Sequence, residues 1–94
     1  MERLMRKLQN RKIENEGVVI PLSSLGNGTS AFIIGFADKK QNIFLRLLEL
    51  GFITGSRITA CGKAPLGNPL IFIIHGGKLA LRKEEAECVL VKIV

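Results

Sequence analysis

Ninety-four residues, 47% of them hydrophobic and 23% charged, are enough for one folded domain and too few for two separate cores. A domain this small buries only about 60–65% of its unfolded surface, so the core is thin and a deep catalytic cavity is hard to enclose. Fourteen Lys and Arg against eight Asp and Glu give a formal charge of +6. That charge suits a solvated surface, or an anionic partner such as nucleic acid, lipid or an acidic protein patch.

Residues 1–16 stand apart in composition. Arg3, Arg6, Lys7, Arg11 and Lys12 face Glu2, Glu14 and Glu16, while Leu4, Met5, Leu8 and Ile13 fall near helical spacing. A short amphipathic helix and a disordered basic leader both fit this pattern. No apolar run follows the charges, so the segment does not read as a secretory signal. The domain proper is expected over residues 17–94.

Pro21-Leu22-Ser23-Ser24-Leu25 predicts a single helical turn, and Gly26-Asn27-Gly28 a tight reversal. Thr29 to Phe36 predicts a strand buried on much of both faces, with Gly35 marking a bulge or a close backbone approach. Lys40 to Leu50 predicts the one substantial helix, with Ile43, Phe44, Leu47, Leu48 and Leu50 as its buried stripe and Arg46 and Glu49 outside it. Asp38 or Asn42 would cap its start, and Gly51 would end it in a left-handed conformation. On this reading Leu48→Ala costs about 2–5 kcal/mol.

Thr54-Gly55-Ser56 signals a turn, and three or four strands follow. Arg57 to Ala64 puts Ile58 and Ala60 on one face. Leu70 to His75 reads as a central strand, and Lys78 to Arg82 follows a Gly76-Gly77 hairpin turn. Lys83 to Glu87 is a charged, exposed turn of helix, and Val89 to Val94 closes the chain with Val89, Val91 and Ile93 on one face. Five short strands and one helix predict a mainly β fold, a small antiparallel barrel.

Catalytic chemistry is poorly supported, and no enzyme is expected. His75 is the one histidine, and no Ser-His-Asp arrangement can be built around it. Glu84, Glu85 and Glu87 are read as solvated, and no glycine pattern matches a nucleotide-binding loop. Cys61, His75 and Cys88 are the only soft metal ligands; their spacing is not that of a metal site, so neither a metal nor another cofactor is expected. With the two cysteines spaced far apart and no export signal read, a disulfide framework is not expected. The Phe residues are assigned to core faces, which leaves no aromatic among the basic residues for base stacking. The most apolar run, Leu70 to Ile74, is far short of the roughly 20 residues that cross a bilayer. The chain therefore reads as soluble and cytoplasmic, without membrane insertion, and nucleic acid is not the expected partner.

Leu45-Arg46-Leu47-Leu48-Glu49-Leu50-Gly51-Phe52, Thr54-Gly55-Ser56, Ala64-Pro65-Leu66-Gly67-Asn68-Pro69 and Gly77-Lys78-Leu79-Ala80-Leu81-Arg82-Lys83-Glu84-Glu85-Ala86, in that order, resemble the ferrous iron transport protein A (FeoA) family. Pro21 to Leu25 and Gly28 fit its opening, so the resemblance runs over about residues 20–94. It implies an SH3-like barrel with one inserted α-helix. It also implies a small cytosolic accessory of ferrous iron uptake that acts on the FeoB-type transporter and its GTP-binding domain. Two alternatives stay open: a basic barrel that binds nucleic acid, and a metal-sensing barrel like the last domain of some iron-dependent repressors. In the proline-braced loop, Pro65 and Pro69 fix backbone angles while Gly67 and Asn68 tolerate positive φ. Leu66 then either projects as a partner anchor or folds back over the barrel mouth, and Leu66, Gly67, Asn68 and Pro69 are the expected partner-binding residues. Apolar strand edges leave homo-oligomerisation open.

Overall fold

The computed structural model describes residues 17–37 and 41–94. The leader at residues 1–16, Asp38 as a helix cap and the first expected helical residue, Lys40, lie outside the described residues. The chain runs β1 (Val19–Pro21), a 3₁₀ turn (Leu22–Ser24), β2 (Ser30–Phe36), α1 (Gln41–Glu49), β3 (Arg57–Lys63), β4 (Leu70–Ile74), β5 (Gly77–Leu81), α2 (Lys83–Glu87) and β6 (Val89–Ile93). The six strands form one sheet in the order β1-β6-β2-β3-β4-β5, antiparallel throughout.

Three of the strand connections follow from turn chemistry. The Gly26 carbonyl accepts from Thr29 N at 3.0 Å with Gly28 at φ +82°, which reverses the chain into β2. The Ile53 carbonyl accepts from Ser56 N at 3.1 Å with Gly55 at φ +94°, which starts β3. The β4–β5 hairpin corrects the expected Gly76-Gly77 turn by one residue. Ile74 pairs with Gly77, so His75 and Gly76 are the turn, at φ +52° and +77°. Both central residues of a right-twisted two-residue hairpin need positive φ, and Gly77 is left to begin β5.

The core is one cluster filled from the inner faces of the strands: Ala31 and Ile33 of β2, Ile58 and Ala60 of β3, Phe72 and Ile74 of β4, Leu81 of β5, and Val89 and Val91 of β6. Leu22 of the 3₁₀ turn, Leu47 of α1 and Phe52 are fully buried among them. The burial expected of β2 changes. β2 is not buried on both faces, because Phe32 and Ile34 alternate outward and are about two-fifths exposed (41% and 39%). The predicted irregularity at Gly35 is present as a register shift against β6 between Ile33 and Gly35. β1 is a sixth strand; at three residues ending in proline it is too short to read from alternation, and it forms because β6 offers it a partner, Ile20 to Val91.

α1 ends as its sequence dictates. Gly51 N donates to the Leu48 carbonyl and Phe52 N to the Leu47 carbonyl, both at 3.0 Å, with Gly51 at φ +92°. This is a Schellman motif, and its accompanying apolar pair is Leu47 with Phe52, both fully buried. The predicted stripe is only partly covered. Leu47 is its buried member and Ile43 packs partly against the core, whereas Leu48 is 37% and Leu50 40% exposed. A barrel of this size offers the helix one narrow seam, so the large cost assigned to Leu48→Ala belongs to Leu47. Asn42 lies inside α1 rather than at its cap.

Candidate partner-binding site

The loop joining β3 to β4 is held at its base and its side. Ala64 N donates to the Pro69 carbonyl at 2.9 Å, and Gly67 N to the Ala64 carbonyl at 2.8 Å. Pro65 supplies the fixed φ of the turn, and Gly67 takes the φ of +81° that leaves it. The Asn68–Pro69 peptide is cis. Asn68 Oδ1 accepts from Lys83 N at 3.1 Å, which ties the loop to the first turn of α2.

These constraints leave Leu66 at the tip, 96% exposed. It projects; it does not plug the barrel mouth. Of its expected companions, Gly67 and Pro69 are half-buried, and the side-chain oxygen of Asn68 is engaged with Lys83. Leu66 is therefore the most prominent apolar side chain the loop presents, with exposed Pro65 beside it. Beside it, Asn68, Pro69, Arg82 and Glu84 line a shallow cavity that shares Arg82 and Glu84 with a second one reaching Asn42, Ile43 and Arg46 of α1.

The acidic turn differs from its sequence reading. Glu84 is exposed, but Glu85 is only 4% exposed. Its carboxylate accepts from Arg82 N at 2.8 Å and lies 3.1 Å from Arg46 Nε of α1. A carboxylate three residues into a helix that reaches back to the N-cap amide is half of a capping box; the other half is missing because an arginine side chain has no acceptor to offer. Arg46, outside the apolar stripe as expected, thus joins α1 to α2. The Arg-Lys-Glu-Glu spacing at residues 82–85 contains this cap, and the ion pair across helices is invisible in sequence.

The three soft ligands are scattered. Cys61 is exposed on β3, and the Cys88 thiol donates to the Glu84 carbonyl at 3.4 Å. The His75 ring donates from Nε2 to the Gly51 carbonyl at 2.9 Å. Among the described residues no group of three or more His, Cys, Asp or Glu side chains gathers to hold a metal. No helix among them is long and apolar enough to cross a membrane.

The profile of the FeoA domain matches residues 20–93. A curated relative, the Fe(2+) transport protein A/Fe(2+) transporter FeoB fusion protein of Porphyromonas gingivalis (strain ATCC BAA-308 / W83), is 34% identical over 74 residues, 78% of this chain. The chain spans 8% of that relative's length. The solved FeoA of Stenotrophomonas maltophilia, an SH3-domain protein complexed with zinc, is 38% identical with a TM-score of 0.66, over 76% of this chain and 87% of that one. A manganese-dependent transcriptional repressor complexed with manganese superposes with a TM-score of 0.75 at 14% identity, over 81% of this chain and 37% of that one; it shares the fold alone. With the family profile spanning the whole barrel, from β1 to β6, this chain belongs to the FeoA domain family, which is linked to ferrous iron transport.

Proposed function

We propose that this protein is a cytoplasmic accessory of ferrous iron uptake that docks on the cytosolic part of a FeoB-type transporter, with Leu66 as an anchor. The observation that carries the reading is the relative in which the FeoA and FeoB parts are one polypeptide. Fusion raises the effective concentration of one domain at another to the millimolar range for a short flexible linker, an arrangement suited to partners that touch. Leu66 fits the role of anchor because it is held out on a loop whose own hydrogen bonds fix it before binding. A pre-ordered apolar side chain loses little entropy when it enters a pocket. On this reading the effect on the transporter is one of binding. A pull-down of the wild-type protein and of Leu66→Glu on the immobilised GTP-binding domain tests this. Retention of the wild type with loss of the variant is expected; equal retention removes the loop from the interface.

A further inference from the structure

The described acidic residues are confined to the helices of this fold, whereas basic residues lie on helices and strands alike. The four charged residues of the strands, Arg57, Lys63, Lys78 and Lys92, are all basic, while the four described acids, Glu49, Glu84, Glu85 and Glu87, all lie on α1 and α2. The register sets the basic residues among apolar ones. Val19 pairs with Lys92, Lys92 with Phe32, and Phe32 with Arg57, one line across β1, β6, β2 and β3. In the neighbouring line, Thr59 of β3 pairs with Ile73 of β4, and Ile73 with Lys78 of β5. Residues two apart on a strand share a face, so both lines point outward together. Val19, Phe32 and Ile73 are all exposed there, at 49%, 41% and 36%.

We propose that this outer sheet face adsorbs to the surface of an anionic lipid bilayer. Apolar side chains interleaved with cations, on strands without a carboxylate, meet both requirements of interfacial binding: Phe32, Val19 and Ile73 enter the headgroup boundary while Arg57, Lys78 and Lys92 pair with lipid phosphates. Their long stems let the charged ends stay at headgroup level as the apolar neighbours sink. The face is a poorer match for other occupants. Nucleic acid needs a series of aromatic platforms, and Phe32 is the one aromatic here, beside aliphatic Val19 and Ile73. A symmetric second copy sets Arg57 and Lys92 against their own kind. Residues 1–16 carry five basic and three acidic side chains, so their net charge has the same sign as the face and is repelled by it. Adsorption involves no spanning segment.

The test is co-sedimentation of the full chain with vesicles of phosphatidylcholine alone and of equal parts phosphatidylcholine and phosphatidylglycerol. Binding to the anionic vesicles is expected to be at least about tenfold stronger, and to fall as salt rises toward 1 M and the screening length shrinks to about 3 Å. Arg57→Gln with Lys92→Gln lowers it by about fivefold per charge removed. Phe32→Ser lowers it as well, while Leu45→Ser, on α1, whose Leu47 packs into the core on the inner side of the sheet, leaves it unchanged. Thermal melts establish that each variant folds, and the charge pair serves if Phe32→Ser does not. Absence of a preference for anionic vesicles overturns the proposal, whether the face then proves to bind an acidic protein or a second copy. Wild-type binding by both sheet variants also overturns it and assigns adsorption to residues 1–16. The outcome is independent of the transporter reading, since the vesicles contain no protein.

Discussion

At Gly51 the backbone leaves α1 with φ +92°, and a Cβ added there would lie 3.1 Å from the His75 ring. The same histidine donates to the Gly51 carbonyl, so one residue ends the helix and receives the tip of the β4–β5 hairpin. Gly51→Ala is expected to lower unfolding free energy by about 1–2 kcal/mol from the left-handed backbone alone, with displacement of His75 added to it. An unchanged denaturation midpoint would mean the turn is built differently. The neighbouring leucines separate by burial. Leu47→Ala should cost about 2–5 kcal/mol and Leu48→Ala no more than about half as much, since only Leu47 leaves a closed cavity. Equal losses in a denaturant series would contradict the placement of α1. Spacing alone made both leucines members of one stripe; which of them meets the barrel depends on the width of the seam, a property of the packed molecule.

Among the elements, α1 is held by a small area. Leu47 and Ile43 reach the core, Phe44 meets Phe36 edge to face at 5.0 Å, and Arg46 pairs with Glu85. The buried carboxylate makes the last contact matter more than an ordinary surface pair, although the Arg46 side chain is 55% exposed and water weakens the attraction. A double-mutant cycle of Arg46→Ala and Glu85→Gln is expected to give a coupling energy of about 0.5–3 kcal/mol. Additive losses would show that the two helices are not linked this way. The existence, order and ends of the long elements were legible beforehand, because alternation marks β3, a 3.6-residue period marks α1 and glycines mark the turns. The hairpin turn was misplaced by one residue because a Gly-Gly pair is the stronger signal locally. His75 accepts positive φ there because β4 and β5 align around it.

For the whole molecule, the fold and the family were both readable from ordered motifs over about residues 20–94; the family profile and the superposition on a FeoA agree with both, and the superposition on a manganese-dependent repressor agrees with the fold. The outward placement of Phe32 was not readable, since an apolar strand looks the same whether one face or two are covered. Register alone puts it between Arg57 and Lys92. The loop proposed to bind the partner was half legible: prolines and glycine announced a stiff turn, but only the hydrogen bonds to Ala64, Pro69 and Lys83 determine that Leu66 points away from the barrel. The most direct test of the docking role is a calorimetric titration of the GTP-binding domain of the FeoB-type transporter with wild-type protein and with Leu66→Glu. Saturable wild-type binding, weakened at least about tenfold in the variant, is the predicted result; identical affinities for the two proteins, or no binding by either, would contradict it.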